Sequence, residues 1–234
     1  MKFKRTAPWR ALIALILFGV SFGYVEATVV VYLRDVYEPL ALELHPERKP
    51  GALFPLITLE QLEAADTEHL WRLKTEVMRE AATMVILASV GLAIGWNFNT
   101  FFAGFIIAFG VWDIFYYVFL KVLIDWPTSL LEWDILFLIP FPWVGPVLAP
   151  MLVAISMIAA GTLLLWRESV GRPVRVGWRR WSIIVVGGLI IIAAFCWDYR
   201  NVMAGGMPNP FQWPIFLTGE TMGLVAFSLA VRNG

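Results

Sequence analysis

Cysteine and histidine are nearly missing from this chain. Cys196 is the single thiol, which excludes an internal disulfide, a CxxC redox pair, a CxxCH haem attachment and any cluster held by several thiolates. His45 and His69 are the only histidines, too few for the roughly four axial side chains that a two-haem membrane cytochrome needs. Charge is also scarce and balanced: 15% of residues are charged, against about 25% in soluble domains, and 18 basic residues offset 18 acidic ones. No overall field attracts nucleic acid, so none is expected as a partner. The sequence has no P-loop, Rossmann glycine pattern, GxSxG, HExxH or buried lysine suited to a retinal Schiff base. The paired-acid, two-histidine pattern of intramembrane CAAX-type proteases is incomplete: Glu76, Arg79 and Glu80 loosely match its first motif, but its later histidine-bearing helices are missing.

What is present is apolar. Hydrophobic residues make up 59% of the chain and mean hydropathy is +0.72, a composition suited to lipid. The pattern predicts an all-α integral membrane protein, one transmembrane domain over 1–234, with about six spanning helices near 9–33, 68–96, 101–124, 147–166, 181–197 and 215–231. The first follows a basic start but is too long for a signal peptide and ends in no small-x-small cleavage site, so it reads as a retained helix. Residues 34–67 read as an outer loop without a long element, and Asp66-Thr67 as the start of the next helix. Ser129 and Glu132 have capping-box spacing for a short helix, 130–138, whose length of ~14 Å cannot cross a bilayer. The run Pro140-Phe-Pro-Trp-Val-Gly-Pro146 must stop that helix, which predicts an interfacial or re-entrant hairpin with Trp133, Asp134, Pro140 and Trp143 as candidate lining residues. Pro146 suits the first turn of the following helix.

Basic residues set the expected orientation. Lys2, Lys4, Arg5 and Arg10 fall on the same side as Arg167, Arg172, Arg175, Arg179 and Arg180, which predicts both termini in the cytoplasm of a bacterial-type inner membrane. Trp9, Trp96, Trp126, Trp166, Trp181, Trp197 and Trp213 fall at helix ends, where indole rings anchor to the interface. The Trp-Asp pairs at 112, 133 and 197 read as interface chemistry, not as a repeat. Gly19 and Gly23 have the spacing of close helix packing.

Acids stand where lipid should be. Glu26, Glu80, Asp113 and Glu220 all reach a similar depth in the outer leaflet, although a charge at mid-membrane costs roughly 2.5–3.5 kcal/mol. His69, Arg72, Glu76, Arg79, Glu80 and Thr83 form one polar edge of their helix. Four readings follow: structural ion pairs; a divalent metal ion as cofactor, or another cation, held by Glu26, Glu76, Glu80, Asp113, Glu220 and His69; a proton or cation pathway; and acid–base chemistry on a lipid or small amphiphile. In the leading reading Arg79, Lys121 and Arg72 balance the charge of a cation, metal or proton site with a transport role. The competing class is an anchoring or assembly subunit. The expected partners are the bilayer, other membrane subunits or a second copy of the chain.

Overall fold

The computed structural model describes residues 8–232, so Lys2, Lys4 and Arg5 lie outside the described residues. Six long apolar helices are present: α1 (Pro8–Leu44), α3 (Thr67–Ile94), α4 (Phe98–Ile124), α5 (Leu148–Ser169), α6 (Trp178–Phe195) and α8 (Trp213–Arg232). The short helices α2 (Leu59–Ala65) and α7 (Tyr199–Met203) sit in the connections. The helix ends carry the expected chemistry. Asp66 caps α3 by accepting from the Glu68 N–H at 3.1 Å. Asn97 and Thr100 form a reciprocal box at the start of α4.

Glycine sets how closely the helices approach. α1 runs parallel to α4, with Gly19 against Val111 and Gly23 against Phe115 and the Trp112 carbonyl. A Cβ at Gly19 would lie 2.7 Å from Val111 Cβ, so only glycine permits this crossing. α5 packs on α4, and α6 pairs with α8. The main core, built on Leu15, Leu87, Ile107, Val111 and Trp112, lies where α1, α3 and α4 meet.

Three sequence expectations are corrected. Residues 130–138 are not a short helix: β1 (Trp133–Phe137) pairs antiparallel with β2 (Trp143–Pro146), Asp134 opposite Gly145 and Ile135 opposite Val144. The run Trp-Asp-Ile-Leu-Phe is short, aromatic and bounded by prolines, which favours a strand. The capping-box residues close a turn instead. Ser129 Oγ accepts from the Leu131 N–H, and Glu132 accepts from the Thr128 N–H and hydroxyl. Pro146 ends β2, and the proline in the first turn of α5 is Pro150. Residues 34–67 are not all loop either, because α1 continues to Leu44, through Pro39. Its 37 residues span ~55 Å, well beyond the ~30 Å of a hydrocarbon core. Arg34 and Asp35 mark where apolar surface ends, but polar residues do not by themselves end a helix.

Candidate functional site

The C-terminal part of α1, the N-terminal half of α3, α4, the β-hairpin and the 50–59 segment enclose a partly open cavity of about 940 Å³. Its walls are mostly apolar, with Val30, Val77, Trp112 and Leu136 among them, and acids line it at Glu26, Glu76, Glu80, Asp113 and Asp134.

Arg79 organises one side of the cavity. From α3 its guanidinium reaches across to α1 and donates to both Glu26 oxygens at 2.6 and 2.7 Å. It also donates to Glu76, one turn earlier on its own helix, at 2.9 and 3.0 Å. A planar fork with five donors suits two carboxylates at once. Glu26 is buried, so this network removes a charge from lipid contact and ties α1 to α3.

Glu80 has a different duty. Its Oε2 accepts the Leu138 N–H at 2.8 Å, where the register of the hairpin slips between Ile135 and Phe137 and strand pairing leaves that donor unused. A backbone donor left over by irregular pairing needs an acceptor when it is buried, and here a helix carboxylate supplies it. The other side of the cavity carries Asp113 of α4, within electrostatic reach of Asp134. Asp134 accepts from the Tyr117 hydroxyl at 3.0 Å.

Asp134 lies in β1, outside the six spans. Burial pushes its carboxyl up to about 6, against the opposing Arg34 charge and hydrogen bonds from Tyr117 and the Ile135 backbone. The folded state therefore favours the protonated acid. This contribution to stability is complete below about 4, the ordinary aspartate value, and is lost as pH rises through about 6. The loss is at most about 3 kcal/mol. Between pH 4.5 and 7 the thermal midpoint of the wild type is expected to fall more than that of Asp134→Asn, and identical slopes would show that this carboxyl does not titrate there.

Several candidate residues lie elsewhere. Glu220 faces Ser156 of α5, with Oε1 buried and without a hydrogen-bond partner among the described residues. The His69 ring packs at a tilt against Tyr37, whose hydroxyl donates to the His69 carbonyl at 3.0 Å. Arg72 pairs with Glu68 on the exposed face of α3. Lys121 pairs with Asp125, at the left-handed end of α4, and is itself exposed. In the hairpin, Asp134 and Pro140 line the cavity, while Trp143 stacks on Phe195 of α6 and Trp133 packs on Phe211. Among the described residues no three His, Cys, Asp or Glu side chains are grouped so as to hold a metal ion, which leaves the divalent-ion reading without a ligand set.

Sequence reasoning did not single out Arg48, Glu38 and Tyr116, which also line the cavity, and it placed Trp126 at the lipid interface. Trp126 is instead 5% exposed and forms cavity wall beneath Arg34. The one available signal was the cluster of basic residues in the 45–50 turn, Arg48 and Lys49 beside His45.

Compared with known proteins, the chain matches no family model, no curated protein and no solved structure.

Proposed function

We propose that this chain is a polytopic inner-membrane protein, both termini cytoplasmic, that takes an amphiphilic molecule from the outer leaflet into the cavity beside the β-hairpin. The observation that carries this reading is the cavity itself. Its volume of about 940 Å³ falls in the range of small-molecule sites, and its lining is apolar with a few convergent charges. Apolar walls suit a hydrocarbon chain, and acids left outside the Arg79 network, Asp113 and Asp134, suit a polar or protic end. The orientation rests on the arginines of the 167–180 loop, which the positive-inside rule assigns to the cytoplasm.

Native mass spectrometry of the detergent-purified protein tests the reading. The wild type is expected to retain a long-chain amphiphile, and Val77→Trp, which fills the cavity from α3, should reduce retention roughly tenfold, the effect of about 1.4 kcal/mol. Equal retention by both, or none by a monodisperse wild type, overturns the reading.

A second reading, proton or cation handling with a transport role, is favoured by the Tyr117–Asp134 hydrogen bond with Asp113 close by. In proteoliposomes, proton or cation flux should then be lost in Asp113→Asn while the variant stays folded and monodisperse.

A further inference from the structure

The mouth of the cavity carries two arginines that the acid network does not use. Arg34, at the outer end of the apolar part of α1, lies with its guanidinium carbon 4.2 Å from the centre of the Trp126 ring. Its Nε and Nη2 are buried, have no hydrogen-bond partner, and make no ion pair among the described residues. Arg48 comes from the 45–50 turn, and its side chain is only 9% exposed. It donates through Nη2 to Glu38 at 3.1 Å, but its Nε is also buried and unpartnered. The other Glu38 oxygen accepts the Gly51 N–H at 2.7 Å, so this one carboxylate is shared between Arg48 and the backbone of the turn. Asp134 faces Arg34 but is itself engaged by Tyr117, and Asp35 is exposed. Lys49 lines the same mouth.

Burying guanidinium donors without acceptors costs free energy that a ligand oxygen would recover. Two planar forks reaching one space from different elements suit an oxyanion with several acceptor oxygens. We infer that Arg34 and Arg48 form an anion site at the cavity mouth that takes a phosphate-type headgroup. The inference deepens the amphiphile reading and rests on the same cavity: the head is held at Arg34 and Arg48 while the chain lies along the apolar wall.

Binding to the purified full-length protein, measured by calorimetry with inorganic phosphate and with a short-chain phosphatidic acid below its critical micelle concentration, separates the parts. A neutral diacylglycerol of the same chain length serves as the reference amphiphile. The wild type is expected to bind phosphatidic acid at least tenfold more tightly than the reference, and Arg34→Gln and Arg48→Gln should each abolish that preference. Arg34→Lys, which keeps the charge but not the fork, should retain part of it and controls for folding, together with monodispersity. Binding of inorganic phosphate that is lost in both glutamine variants and kept in Val77→Trp supports the anion site even where no amphiphile is retained. That result would place the failure in the amphiphile reading alone. Equal affinity for the phosphorylated and neutral amphiphiles, unchanged in both glutamine variants, overturns the anion site and leaves the amphiphile reading standing.

Discussion

Replacing Arg79 by methionine should destabilise the protein by roughly 3–5 kcal/mol, the range observed when one partner of a buried ion pair is removed and the other is left behind. Here two partners are left. Glu26 and Glu76 both accept from this guanidinium, and without it they face each other with no cation among their hydrogen-bond partners. The loss should be recovered largely in the triple variant Glu26→Gln, Arg79→Met, Glu76→Gln, because the desolvation cost of the charges disappears with them. Reversible unfolding in mixed micelles is the measurement. A triple variant as weak as the single one would mean that the guanidinium acts mainly through packing of its methylene stem, and a single variant as stable as wild type would mean that the network ties nothing together.

The same network shows what could be read from the chain. Glu76, Arg79 and Glu80 could be placed on one edge of a helix, because a fixed period of 3.6 residues relates sequence to angle. That Arg79 selects Glu26, 53 residues away, could not, since periodicity carries no information about which helices become neighbours. Glu220 illustrates the limit: its place along its helix suggests the same depth as the other acids, yet it faces α5 and not the cavity. The six long apolar helices were legible because a membrane-crossing helix needs a set length and an apolar composition, and each of them has both. The hairpin was not. Its Ser-x-x-Glu spacing satisfies a turn as well as a helix start, and the choice between them depends on the Glu80 carboxylate and the α6 aromatic surface, both remote in sequence. The three Trp-Asp pairs divide for a similar reason. Asp113 and Asp134 reach the cavity, while Asp198 accepts hydrogen bonds from Asn201 and Asn209 and braces the loop after α7.

Gly219→Leu should cost more than an ordinary core substitution, at least roughly 3 kcal/mol, because the nearest atom a new side chain meets there is a backbone carbonyl oxygen that cannot rotate away. A Cβ at Gly219 would lie 2.5 Å from the Gly187 carbonyl oxygen, and one at Gly187 would lie 2.7 Å from the Gly219 carbonyl oxygen. The only relief is to move α6 and α8 apart. The same change at Gly188 or Gly223 meets nothing within 4 Å and should be neutral or slightly stabilising, by up to about 1 kcal/mol, since glycine is a poor helix former. This contrast within one pair of helices separates close packing from a general effect of glycine. The consequence should also reach the cavity. Phe195 of α6 packs against Phe216 of α8 and stacks on Trp143 of the hairpin, and a Cβ at Gly145 would lie 2.8 Å from the Phe195 ring. Separating α6 from α8 therefore withdraws support from the strand opposite Asp134. Amphiphile retention should fall in Gly219→Leu and persist in Gly188→Leu. If retention survives in a destabilised Gly219→Leu protein, the hairpin is held by Glu80 and the 50–59 segment without help from the α6–α8 pair.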